Sequence, residues 1–142
     1  LIQGEKNITN EGRNNLGNMW FSVNVIGGLI TTINGNIDWN SNYTKEWING
    51  SSTISNTFDD KYIISGNANG NSVNGNDFTV SITNPLILDQ ECLLQGKCNI
   101  KSGDAKVLTS NMSERIIMYG DSVCDCNIDI LVDDYRYPII IN

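Results

Sequence analysis

The chain has 142 residues, 39% of them hydrophobic and 18% charged, with 16 acidic residues against 9 basic ones and no histidine. That length gives one domain with room for a sizeable core, and the low charge with three Trp, five Tyr and three Phe excludes a disordered chain. A net charge of -7 with scattered basic residues excludes the positive surface that nucleic acid or an anionic membrane demands, and without imidazole neither Ser-His nor Cys-His catalysis can be assembled.

Residues 1–17 are polar and rich in Gly and Asn, and read as a tail or linker ahead of a single antiparallel β domain over 18–142. The chain opens on Leu1 rather than Met, so it is read as a mature or truncated form with any targeting segment upstream. No apolar run reaches the roughly 18 residues that cross a bilayer as a helix. Asparagine (22) and isoleucine (20) dominate, and both share AT-rich codons, so not every Asn is a structural choice.

Strands are expected at 20–26, 29–33, 36–39, 43–48, 52–57, 61–65 and 78–83, then at 98–101, 105–108, 115–119, 124–132 and 135–141. Asn34-Gly35, Asn49-Gly50, Asn69-Gly70 and Asn74-Gly75 supply the positive φ values of hairpin turns. Gly27-Gly28, Ser65-Gly66 and Ser102-Gly103 read as further turns, and 67–77 as a long hairpin loop. Apolar residues alternate at Phe78, Val80 and Ile82, as a sheet with one solvated side requires. No period of 3.6 holds for three turns, so no long helix is expected. Pro85 and Pro138 fall at strand boundaries or edges, where a missing amide hydrogen is tolerated. The expected fold is all-β: an antiparallel sandwich, barrel or long meander with Asn-Gly hairpins, clipped by disulfides.

All four cysteines lie between Cys92 and Cys126. Zinc knuckles favour C-x2-4-C spacing, whereas these are C-x5-C and C-x-C, so disulfides are the better reading and no metal or cofactor is expected. A Cys124–Cys126 bond closes too small a ring. If the cysteines sit on antiparallel neighbours, nesting pairs Cys98 with Cys124 and Cys92 with Cys126. The implied compartment is oxidising: periplasm, cell surface or outside.

The run Cys98-Asn99-Ile100-Lys101-Ser102-Gly103, then Arg115-Ile116-Ile117-Met118-Tyr119-Gly120-Asp121, Cys124-Asp125 and Ile128-Asp129-Ile130-Leu131-Val132 resembles the C-terminal end of a large group of Bacteroidota (flavobacterial) surface lipoproteins. Tyr62-Ile63-Ile64-Ser65-Gly66, Asn74-Gly75, Phe78-Thr79-Val80-Ser81-Ile82 and Pro85-Leu86 also fit, so the likeness covers roughly residues 20–142. The chain departs from the group at Ser122-Val123 and in carrying Cys126 for a typical Asn; the joint gain of Cys92 and Cys126 favours a second disulfide. The resemblance implies a cell-envelope location, on the outer-membrane surface or outside it, with membrane attachment only through a lipid anchor on a cysteine outside this chain. It implies no common activity.

Four features invite a functional reading. Trp39, Tyr43 and Trp47 lie at even offsets and in extended geometry would share a face, as a sugar-stacking platform or as core filling, of which core is the preferred reading. Asp121-Ser122-Val123 resembles the O-glycosylation sequon of the same bacterial group, with Ser122 as acceptor; the eukaryotic-type sequons at Asn7, Asn42, Asn49 and Asn111 read as accidents of composition. Asp125, Asn127 and Asp129 share a face but lack the glycine and glutamate of a calcium loop, so they read as solvated. No two carboxylates are marked as a glycosidase pair. The expectation is a non-enzymatic cell-surface protein, an accessory subunit of an outer-membrane or filament assembly or an adhesin-like module. Its partners are other envelope proteins or itself; the alternatives are a carbohydrate-binding module and a carboxylate-dependent glycan-active enzyme.

Overall fold

In a computed structural model describing residues 1–141, the chain folds as one sheet of nine antiparallel strands, each paired only with its neighbours in sequence. The strands are β1 (Ile2–Arg13), β2 (Met19–Thr32), β3 (Gly35–Asn49), β4 (Lys61–Asn71), β5 (Asp77–Asp89), β6 (Ile100–Thr109), β7 (Arg115–Asp121), β8 (Asn127–Val132) and β9 (Tyr135–Ile140), with one short helix, α1 (Glu91–Leu94), between β5 and β6. Of the expected architectures this is the meander. Among the described residues no strand packs across the sheet on another, so there is one layer.

Two kinds of glycine site shape the sheet. Gly35 (φ 132°) and Gly75 (φ 74°) serve tight hairpins, as expected of Asn-Gly. Other glycines bend strands instead of ending them. Gly27 (φ 59°) lies in a bulge between Val25 and Gly28, so the expected strands at 20–26 and 29–33 are one strand, β2. Ser65-Gly66 and Ser102-Gly103 flank the register shift around Pro85 in β5, and are not turns. Asn69-Gly70 lies inside β4, where a Cβ on Gly70 would stand 1.9 Å from the Asp38 carbonyl oxygen. Thus β4 continues to Asn71, well into the expected 67–77 loop, and only Ser72–Asn76 turns.

Three more expectations are corrected. Residues 1–17 are not a tail: β1 pairs with β2 from Ile2↔Ile30 to Arg13↔Met19, and its polar side chains are those of an exposed edge strand. Residues 52–57 form turns rather than a strand. Cys124 and Cys126 lie in the loop before β8, because Ser122 (φ 78°) breaks the strand between Asp121 and Asn127.

That last point also overturns the nested pairing. The bonds are Cys92–Cys124 and Cys98–Cys126, with Cα separations of 5.2 and 5.0 Å, and all four cysteines are consumed. Nesting assumes cysteines on adjacent strands. Here α1 and the loop before β6 present Cys92 and Cys98 to a second loop, and the two bonds cross in sequence order.

Register sorts the side chains by face, because directly opposed residues point the same way. One row runs Asn7, Asn24, Asn42, Asn67, Ser81, Lys106, Ile116, Leu131, Arg136 and is mostly polar. The opposite face carries Phe21 and Val23, Trp39 and Tyr43, Ile64, Val80 and Ile82, Val107, Ile117, Ile130 and Tyr137. No second layer covers that apolar face. Among the described residues Val23, Cys92 and Ala105 are the buried apolar ones, so they do not build the core that the length allows.

Candidate functional site

The register places Trp39, Tyr43 and Trp47 on the apolar face of β3, as their even spacing predicts. Each is half-buried. None of the three is fully buried, and Trp39 and Tyr43 lie against glycines on neighbouring strands. A Cβ on Gly28 would lie 2.5 Å from the Trp39 indole, and one on Gly66 2.5 Å from Tyr43 Cβ. An aromatic side chain beside a cross-strand glycine shields backbone that would otherwise face water.

Tyr62 on β4 completes the cluster. Its ring centroid is 5.8 Å from that of Trp47, and Lys45 Nζ stands 3.6 Å over its ring. Asp60 locks both rings: it accepts hydrogen bonds from Trp47 Nε1 at 3.1 Å and from the Tyr62 hydroxyl at 2.9 Å. Burial, the hydrogen bond to Asp60 and the nearby Asp60 charge all push the Tyr62 hydroxyl pKa up, so it stays a donor. Burial lowers the Lys45 pKa; Asp60 works against that shift and Lys6 adds to it. Lys6, Phe21, Tyr43, Lys45, Trp47 and Tyr62 rim a depression of about 260 Å³. It offers stacking rings and two ammonium groups, a set that suits a hydroxylated or anionic ligand. Trp39 lies outside this rim, so the structure joins Tyr43 and Trp47 to Tyr62 and Phe21, two residues that sequence spacing did not single out. Both are non-local partners, and only strand register reveals them.

A second polar centre lies close by, where Gln90 N donates to the Asp60 carbonyl. Asp89 is 1% exposed and takes ion pairs from Lys61 at 3.0 Å and Lys101 at 3.1 Å, with Glu91 N donating to its other oxygen. Burial alone would raise its pKa, but the hydrogen bonds from Lys61, Lys101 and the Glu91 amide hold it below the usual value. This arrangement ties β4, β5, α1 and β6 together. Both buried carboxylates, Asp60 and Asp89, are thus engaged by structural partners.

The remaining candidates lie in the loops and on the polar face. Ser122 is exposed beside the disulfides, with its amide bonded to the Lys101 carbonyl. Asp125 accepts from the Asn127 amide and side chain, while Asp129 pairs with Arg136, so the trio is used up locally. Among the described residues no three His, Cys, Asp or Glu side chains converge as a metal site. No helix among them is long and apolar enough to cross a membrane. No protein-family model, curated protein or solved structure matches this chain.

Proposed function

We propose that the chain is a non-enzymatic subunit of a cell-surface assembly, an accessory component of an outer-membrane or filament structure or an adhesin-like module. The uncovered apolar face, continuous over nine strands, carries this reading. Soluble proteins seldom expose apolar patches beyond a few hundred Å², and a larger one marks an interaction surface. The exposed edge strands β1 and β9 offer a second mode of contact by strand addition. Two disulfides favour an oxidising compartment. The resemblance to flavobacterial surface lipoproteins adds an envelope location and a lipid anchor. In extracts of cells that make it, the protein should run in particles well above 15.7 kDa, and Val80→Lys on the apolar face should release it from them. Migration as a free monomer in such extracts would rule the reading out.

The depression beside Tyr43, Trp47 and Tyr62 favours a second reading, a glycan-binding module. Calorimetric titration with neutral and acidic oligosaccharides should then show binding that Tyr43→Ala and Trp47→Ala weaken at least tenfold. Unchanged binding in both variants, or none in the parent, removes it. The exposure of Ser122 favours O-glycosylation there, which a hexose-sized mass increment on its peptide from the native source would reveal and a Ser122→Ala variant would lack.

A further inference from the structure

We infer that the apolar face is closed by a second copy of this chain, giving a face-to-face sandwich of two nine-stranded sheets; this rests on the assembly reading above. Area is the first argument. The chain exposes 8837 Å², about 1500 Å² more than the ~7300 Å² typical of a folded monomer of 15.7 kDa. The paired strands, spaced about 4.8 Å apart and rising about 3.3 Å per residue, make a sheet of about 1500 Å² per face. The excess therefore matches one whole face. Closing that face on another copy withdraws about 3000 Å² in all, inside the roughly 2000–5000 Å² of obligate homodimers. A peptide strand or a small ligand would leave most of the face wet.

Charge selects the symmetry. The apolar face carries Lys6 and Arg13 on β1, Lys45 on β3 and Arg115 on β7; among the described residues the register places no strand carboxylate there, and Asp60, just before β4, is engaged by Trp47 and Tyr62. The same face of β7 to β9 carries Tyr119, Tyr135 and Tyr137. A two-fold axis along the strands lays β1 to β3 of one copy over β7 to β9 of the other, so lysines meet tyrosine rings. An axis across the strands would lay β1 on β1 and lysine on lysine. Shape agrees with the first axis. Ser41, Gly66 and Ala68 leave a hollow of about 180 Å³ between Tyr43 and Val80. The axis sets it opposite the partner's β5 to β7, where Val107 and Ile117 project. The two sheets would then pack as aligned sandwiches do, about 10 Å apart.

Light scattering coupled to size exclusion on the purified chain tests this. The parent should weigh twice 15.7 kDa. Val80→Lys, at the centre of the face, should halve that mass and keep the strand signal in circular dichroism. Thr79→Lys, its neighbour on the polar face, should leave the dimer intact. A parent dilution series needs no variant and should show the mass falling to half at low concentration. A purified parent that stays at 15.7 kDa at every concentration, or Val80→Lys and Thr79→Lys behaving alike, overturns the second copy. If that monomer still enters Val80-dependent particles in extracts, the assembly reading survives with a different partner. If it is free there too, both fail.

Discussion

Gly70 shows how much one residue type can decide. Its place in an Asn-Gly pair reads as a turn, yet β3 passes so close that the Asp38 carbonyl occupies the space of a Cβ. Gly70→Ala should destabilise the fold by more than about 1 kcal/mol in denaturant titration, because backbone rather than a flexible side chain must move. Asp89 makes a pH prediction. Its folded pKa lies below the ordinary value of 3.8, so its contribution to stability is complete above that value. The contribution disappears as pH falls through the lower folded value. Unfolding midpoints should therefore drop steeply below about pH 4 in the parent. Asp89→Asn should flatten that drop and lower the plateau at neutral pH. An unchanged acid limb in the variant would show that Asp89 is not the titrating group. The partners of Asp89 and Asp60 were not legible in the sequence, because Lys61, Lys101, Trp47 and Tyr62 reach them across strand pairings that no local pattern encodes.

Strands were legible wherever apolar alternation ran unbroken, as in the first half of β5 and in β8. Their ends were not, because a positive-φ glycine serves a turn and a bulge equally well. Only the partner strand decides which, and here it decided for a bulge at Gly27 and for an unbroken strand at Gly103, opposite the irregularity in β5. Asp133 and Asp134 make the converse case: both adopt positive φ, 47° and 67°, and form the β8–β9 hairpin without glycine. The cysteine segment is the other element where local reading failed, since alternation from Cys124 to Val132 hid a loop. Peptide mapping without reduction should return Cys92–Cys124 and Cys98–Cys126. The bonds span 32 and 28 residues, and breaking either should cost about 3 to 4 kcal/mol by the chain-entropy estimate. The Cys98→Ser/Cys126→Ser double variant, measured by thermal unfolding, checks that figure.

At the scale of the molecule, a single layer with three buried apolar residues among those described lacks the interior that stabilises a domain of this size. If a second copy covers the face, association adds to the stability of each sheet, and the thermal midpoint should rise with protein concentration. A midpoint independent of concentration over two decades would show a sheet stable by itself. The all-β class, the absence of long helices, the oxidised cysteines and the shared face of Trp39, Tyr43 and Trp47 all follow from the sequence, because each depends on neighbours a few residues apart or on composition. The single layer, the crossed disulfides, the incorporation of residues 2–13 as an edge strand and the joining of Tyr43, Trp47, Tyr62 and Lys45 belong to the tertiary structure. Alternation says that one face is apolar. It does not say whether the cover for that face comes from the same chain, and only strand order and register answer that.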